Sequence, residues 1–282
     1  MSMETGSYRK RRAAIEHYFD RTALDTWARL TSDAPVSGIR ATVRAGRDRM
    51  RTLLLDWLGD DLRGLRILDA GCGTGALAVE AARRGAEVVG VDVSPSLIDI
   101  ARERLPADLG DGSVTLVAGD MLAPELGRFD HVVAMDSLIH YEGGDVGAAL
   151  EGLAARTSGS VLFTFAPRTR LLSVMHAVGR LFPRGDRAPA IEPLAEARLR
   201  RFIDRSTVLQ GWSLERTERV VSGFYTSQAG LLSAPAVETA TQDVESRSDN
   251  RAHGSADTAP GLEANAESIP QPKRSIGEVR AA

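Results

Sequence analysis

Short apolar runs, hydrophobic at nearly every position rather than at every second one, recur between Arg66 and Phe165 and alternate with stretches of helical period. Runs of this kind mark strands buried on both faces, as in a parallel sheet. They cover Arg66–Asp69, Glu87–Asp92, Val114–Ala118, Phe129–Met135 and Ser160–Phe165. Helices are predicted between them, over Ala76–Arg84, stopped by Gly85, and over Asp145–Arg156. A third starts at Ser94-Pro95, an N-cap with Pro at the first helical position, and runs to about Leu105. Strands alternating with helices at this spacing predict an α/β fold with one doubly wound, mostly parallel sheet. Trp212–Val221 and Gly223–Leu232 read as a closing β-hairpin, which brings the strand count to seven.

The flanks follow other patterns. From Arg9 to about Leu30 the residues Ile15, Tyr18, Phe19 and Ala23 recur at three- and four-residue steps, predicting a helix. Pro35 to Gly38 breaks it, and a second helix is predicted over about Ile39 to Leu58, ending near Gly59. Both are read as an N-terminal helical cap. After Phe165 the alternation stops: Leu171, Leu172, Met175, Val178, Leu181 and Phe182 stand at helical spacing, then a Pro- and Arg-rich loop and another helix follow. This insertion lies beyond the carboxyl end of a strand, where ligands of such sheets bind. Ser233 to Ala282 contains no Phe, Trp or Tyr and should not fold. The predicted divisions are thus a cap over 1–59, a core over 60–165, an insertion over 166–205, the hairpin over 206–232 and a tail over 233–282.

Charge removes one class of function. The tail holds 8 of the 38 acids and 5 of the 35 bases, leaving 30 of each in the remainder. A neutral folded part has no electrostatic footprint for nucleic acid. The one cysteine, Cys72, permits no intramolecular disulfide, and no apolar run approaches the ~18 residues of a membrane span. The basic start, ending Arg9-Lys10-Arg11-Arg12, leads into no apolar segment, so no secretory signal is expected and the cytoplasm is the default location.

The chemistry concentrates in Ile67 to Gly75, Ile-Leu-Asp-Ala-Gly-Cys-Gly-Thr-Gly, with Asp92 17 positions after the last glycine. A strand feeding a glycine loop and a helix, then a second strand ending in an acid, is a nucleotide-binding βαβ unit. Gly71, Gly73 and Gly75 supply the tight turn. Gly71, Gly73 and Ala76 also satisfy the dinucleotide fingerprint, so the loop alone leaves the cofactor open. Charge separates the two cofactors: a pyrophosphate is anionic, whereas S-adenosyl-L-methionine carries a sulfonium cation. Asp69, Asp92, Asp120 and Asp136 stand at the strand ends, with no base between Ile67 and Val79, and suit the cation. Asp92 is placed to accept from both ribose hydroxyls, Asp120 to meet the adenine amino group with Met121 or Met135 against the ring, and Asp69 to hold the loop and methionine end. Cys72 fills a small buried position and is not read as a nucleophile.

On the Asp-x-Gly-Cys-Gly-Thr-Gly loop and its spaced acid, Arg66 to Phe165 resembles the class I S-adenosylmethionine-dependent methyltransferases, which implies a Rossmann-like fold. Thr164-Phe165-Ala166-Pro167-Arg168-Thr169, Gly179-Arg180-Leu181-Phe182-Pro183-Arg184, Arg187-Ala188-Pro189, Gly223-Phe224-Tyr225-Thr226-Ser227, and Tyr18-Phe19 with Trp27 look like the magnesium-protoporphyrin IX methyltransferases. The resemblance covers about Ala13 to Leu231. It implies methyl transfer from S-adenosyl-L-methionine to a propionate of Mg-protoporphyrin in chlorophyll or bacteriochlorophyll synthesis, with magnesium arriving in the porphyrin and no protein-bound metal. It implicates Tyr18 and His140 beside the reacting groups. Arg168, Arg184 and Arg187 are candidates for the second propionate, and His176 for a porphyrin or magnesium contact. The family's association with the large porphyrin-binding subunit of magnesium chelatase implies a partner that hands over substrate, and the insertion could touch a membrane surface peripherally. Two alternatives remain at this stage: a methyltransferase of a quinone or other small apolar acceptor, and a non-catalytic S-adenosylmethionine-binding scaffold.

Overall fold

A computed structural model describes residues 5–22, 24, 31, 38–168 and 190–235 of the chain. The sheet has seven strands: β1 Arg66–Ala70, β2 Glu87–Asp92, β3 Ser113–Ala118, β4 Phe129–Ala134, β5 Thr157–Phe165, β6 Ser213–Ser222 and β7 Tyr225–Ser233. Their order is β3-β2-β1-β4-β5-β7-β6. The first five pair in parallel, and β7 runs antiparallel to both β5 and β6. The order reverses between β1 and β4, which opens a crevice at their carboxyl ends.

The continuous apolar runs are explained by two cores, one on each face. Leu68, Val89, Val132, Val161 and Phe163 point into one, while their neighbours Ile67, Val88, Val133 and Leu162 point into the other. Adjacent positions alternate across the sheet, so a strand covered on both sides must be apolar throughout. The first core is closed by α1 Gly6–His17, α5 Gly143–Ala154 and α6 Glu196–Arg205; the second by α2 Gly38–Leu58 and α3 Ala76–Arg83. Helix α4 Pro95–Arg104 lies between β2 and β3 in the chain, and its Ser94 cap accepts from the Leu97 amide at 3.3 Å. The outer strand β6 carries Glu215, Arg216, Glu218 and Arg219, charges that discourage edge pairing.

The N-terminal segment differs from the single helix expected over Arg9 to Leu30. Helix α1 begins earlier, at Gly6, because Thr5 caps it by accepting from the Tyr8 amide at 3.1 Å. At Tyr18 it widens into a π-helical turn, Tyr18–Thr22. Asp20 in that turn is drawn onto the start of α4, where its carboxylate accepts from the Ser96 amide at 3.1 Å and the Ser94 hydroxyl at 3.2 Å. Exposed carboxylates at a helix N-terminus are favoured by the dipole. Helix α1 is also tied to the start of α5: Thr5 and Ser7 hydroxyls donate to the buried Asp145 carboxylate at 2.6 and 2.8 Å.

Helix α6 packs across Gly147 of α5, where any side chain would run into the Phe202 ring. Leu199 and Ile203 are buried in the first core. The apolar stripe Leu171 to Phe182, the Pro- and Arg-rich loop as far as Pro189, and the tail from 236 onward lie outside the described residues. Among the described residues no helix is long and apolar enough to cross a membrane.

Candidate active site

Strand β1 runs into a loop in which Gly71, Gly73 and Gly75 all have positive φ, at 84°, 54° and 78°. At Gly71 the requirement is double, because a Cβ there would also collide with the Ser137 side chain. The loop is laced to the end of β2: Gly71 and Cys72 amides donate to the Val91 carbonyl at 2.8 and 3.0 Å. Asp92 completes the lacing, one oxygen accepting from the Gly73 amide at 2.9 Å and the other from the Ser94 amide at 3.0 Å. Burial holds the Asp92 carboxyl above its ordinary pKa, with these amides working in the opposite direction.

Asp69 is 2% exposed. Burial, then the nearby Asp92 carboxylate, push its pKa up to about 7. Its Oδ2 has no hydrogen-bond partner among the described residues, and neither has the Ser137 hydroxyl. An orphaned buried carboxylate oxygen is costly unless a ligand serves it, and a cation is the ligand it would suit. Cys72 has its thiol pKa pushed up by burial, then by Asp69 and Asp92, which disfavours a nucleophilic thiolate.

A pocket lies over the carboxyl ends of β1, β2 and β4. Toward β2 and β3 its wall is Asp92, Val93, Leu97, Gly119 and Met121, with Tyr8 from α1. Toward β4 the wall is Met135, Asp136, Ser137, His140 and Tyr141, with Phe19 and Arg47. His140 sits in a 3-10 turn, Leu138–His140, its ring edge-on to Phe19 at 6.1 Å. The pocket thus joins the glycine loop to His140.

Other predicted residues fall elsewhere. Asp120 is not on the pocket wall: its carboxylate accepts from the Tyr8 hydroxyl at 2.8 Å and the Leu122 amide at 2.9 Å, and pairs with Arg12. Tyr8 in turn stacks on Tyr141 at 4.9 Å. Tyr18 lies on the π-helical turn with its ring edge against Phe19 at 5.2 Å, and it is Phe19 and Tyr8, not Tyr18, that line the pocket. Arg168 is exposed just after β5. His176, Arg184 and Arg187 lie outside the described residues.

The structure adds a cluster that sequence reasoning did not find. Asp136, at the end of β4, has φ of 53°, the one non-glycine residue with positive φ among those described. Its carboxylate receives Arg47 at 2.7 Å, the Tyr225 hydroxyl at 3.1 and 3.2 Å, the Ser227 hydroxyl at 3.4 Å and the Thr164 hydroxyl at 3.3 Å. Its amide donates to Thr164 Oγ1 at 2.7 Å. Tyr225 reaches this position because Gly46 of α2 leaves room: its position lies 2.7 Å from the Tyr225 Cβ when a Cβ is added. A signal was available, since Arg47 stands on the α2 stripe that buries Gly46, Met50 and Leu54. A charged residue on a buried stripe needs a partner.

A mostly parallel sheet with this strand order and an antiparallel β7, together with the laced glycine loop and the acids at the ends of β1 and β2, is the Rossmann-like arrangement of S-adenosylmethionine-dependent methyltransferases. Comparison with known proteins narrows the class. A family described as magnesium-protoporphyrin IX methyltransferase C-terminus matches residues 134–233, and one described as methyltransferase domain matches 67–158. The magnesium-protoporphyrin O-methyltransferase of Rhodobacter capsulatus is 51% identical over 222 residues, 78% of this chain and 96% of that protein. That of Synechocystis is 31% identical over 216 residues, 76% of this chain and 92% of that protein. A crystal structure of the Synechocystis magnesium protoporphyrin IX methyltransferase with bound SAH superposes with a TM-score of 0.69 at 30% identity, covering 79% of this chain and 99% of that one. The chain belongs to the magnesium-protoporphyrin O-methyltransferase family.

Proposed function

We propose that the protein transfers the methyl group of S-adenosylmethionine to a propionate carboxylate of Mg-protoporphyrin IX, giving the monomethyl ester in (bacterio)chlorophyll biosynthesis. The observation that carries this reading is the single pocket in which the laced glycine loop meets His140, in a chain half identical to a magnesium-protoporphyrin O-methyltransferase over most of its length. S-adenosylmethionine supplies a methyl group activated by a sulfonium. A propionate with a pKa of roughly 4 to 5 is already ionised at neutral pH, so the protein need not remove a proton. What it must do is align the reacting atoms and exclude water.

The roles we assign follow from that requirement. Gly71, Cys72, Gly73, Gly75 and Asp92 shape the donor site, with Met121 or Met135 against the adenine, and Asp69 supplies negative charge behind the loop. Asp120 would share itself between an adenine amino group and helix α1, since Tyr8 and Arg12 already engage it. His140 presents an imidazole N–H to one propionate oxygen, and Phe19 and Tyr141 supply apolar surface beside it. Tyr18 would reach the acceptor only through a change in the π-helical turn. Arg168, with His176, Arg184 and Arg187 of the insertion, would serve the macrocycle and its second propionate. Because the acceptor is a large apolar ring, we further propose delivery by the porphyrin-binding subunit of magnesium chelatase, with any membrane contact peripheral.

The test is incubation of the full chain with methyl-labelled S-adenosylmethionine and porphyrins with and without magnesium, with chromatographic detection of the monomethyl ester. Labelled Mg-protoporphyrin monomethyl ester is expected. Failure to label any porphyrin, with S-adenosylmethionine still bound, would overturn the acceptor and leave the donor.

A further inference from the structure

We propose that Arg47 binds the propionate carboxylate that receives the methyl group, and that Asp136 is present to hold Arg47 in place for it. This inference rests on the carboxylate-acceptor reading above.

The first ground is charge. The pocket wall carries the carboxylates of Asp92 and Asp136, and Asp69 is buried behind the loop. That arrangement favours a cationic donor and repels an anionic acceptor. Among the described residues on the wall, Arg47 is the one cation. It stands at the β4 end with Asp136, Ser137 and His140, apart from the Asp92 end where the nucleoside belongs. A second carboxylate entering there meets the guanidinium first.

The second ground is strain. A left-handed backbone at a non-glycine residue is disfavoured and persists where surrounding contacts over-determine it. At Asp136 four side chains from three other elements do so: Arg47 from α2, Thr164 from β5, and Tyr225 and Ser227 from β7. A simple helix cap would need none of this. The side chains of Arg47 and Asp136 are 20% and 6% exposed, so the pair is mostly shielded from solvent while Arg47 still faces the pocket.

The third ground is chemical. In the reaction one propionate oxygen forms the new O–C bond as the C–S bond breaks, its electron pair going to sulfur, with no proton transferred. A bidentate clamp on the nucleophile would withdraw electron density from both oxygens. A guanidinium presents five N–H donors in a planar fork and can serve two carboxylates at once. Arg47 committed to Asp136 gives the acceptor a partial share: enough to hold one oxygen, leaving the other to attack. The ester product has lost its charge and no longer matches Arg47, which favours release.

The experiment compares Arg47→Met, Arg47→Lys and the double variant Arg47→Met/Asp136→Asn, using methyl transfer to Mg-protoporphyrin, the Kd for S-adenosylhomocysteine and the Tm. Arg47→Met should lower kcat/KM about 100-fold and Arg47→Lys about 10-fold, as for loss of one partner in a shielded charge pair. S-adenosylhomocysteine affinity should stay within about threefold of wild type on the same reasoning. The double variant removes both charges and should recover Tm without recovering kcat/KM. A double variant that regains wild-type kcat/KM would show the pair to be structural and overturn the proposal. So would an Arg47→Met enzyme of undiminished kcat/KM, or one whose S-adenosylhomocysteine affinity falls in step with its activity. A wild-type chain that methylates no porphyrin removes the acceptor reading and this inference together, whereas the other outcomes bear on Arg47 alone.

Discussion

Binding of S-adenosylmethionine should release more of the Asp69 proton than binding of S-adenosylhomocysteine. In the ligand-free protein the Asp69 pKa is raised from 3.8 to about 7, chiefly by burial and then by Asp92. A displacement of that size corresponds to about 4 kcal/mol against the ionised form, taking each unit as roughly 1.4 kcal/mol. The α-ammonium and α-carboxylate are common to both ligands, so the difference between them reports the sulfonium, which repays a further part of this cost that a thioether does not. Below pH 7 the proton is therefore held until the cation arrives. The apparent affinity for S-adenosylmethionine should rise by up to about tenfold per pH unit between roughly pH 5 and 7 and then level off. The affinity for S-adenosylhomocysteine should rise less steeply over the same range. Titration calorimetry of both ligands, in two buffers of different ionisation enthalpy, counts the protons directly. Asp69→Asn should abolish the difference in slope. Equal slopes for the two ligands, or a difference that survives in Asp69→Asn, would refute the reasoning. The same group sets a stability trend in the ligand-free protein. Because its folded pKa is raised, its contribution is fully present below about 3.8 and lost as pH rises through about 7; saturation with S-adenosylmethionine should weaken that decline.

Two further perturbations follow. Gly46→Ala would push a Cβ into the Tyr225 ring and draw its hydroxyl off Asp136, so a loss of about 1–3 kcal/mol is expected, together with lower methyl-transfer activity. Gly38→Ala, where nothing lies within 4 Å, is the control, and equal Tm values for the two variants would count against the packing account. If His140 orients the acceptor rather than acting as a base, His140→Gln should keep activity within about tenfold of wild type and His140→Ala should lose about 100-fold, both chiefly in kcat. Complete loss in His140→Gln with substrate binding intact would assign it the proton-removing role instead.

The strands, the glycine loop and its spaced acid were legible because each is a local pattern. Ile67 and Leu68 point into opposite cores, as Val88 and Val89 do, so burial on both faces wrote itself into uninterrupted apolar runs. Ser94-Pro95 capped α4 for the same local reason, and Gly71 needed its positive φ whatever the rest of the chain did. Those features determined the fold class and, with the acids, the charge of the donor.

Tertiary docking decided the rest. Asp120 was legible as an acid after β3, but the carboxylate is taken up by Tyr8 and Arg12, 112 and 108 residues away in sequence. Asp136 was legible only as one more acid at a strand end; what makes it the centre of a cluster is Arg47, 89 residues earlier, and Tyr225, 89 later. No periodicity encodes such pairs. Strand and helix periods are set by neighbours one to four residues apart, whereas a carboxylate's partner is whichever donor the packed helices bring within about 3 Å. The sequence alone determined which cofactor's charge this site suits. Where the one cation on the described pocket wall stands, and which carboxylate holds it, was decided only when α2 packed against β7 through Gly46 and Tyr225.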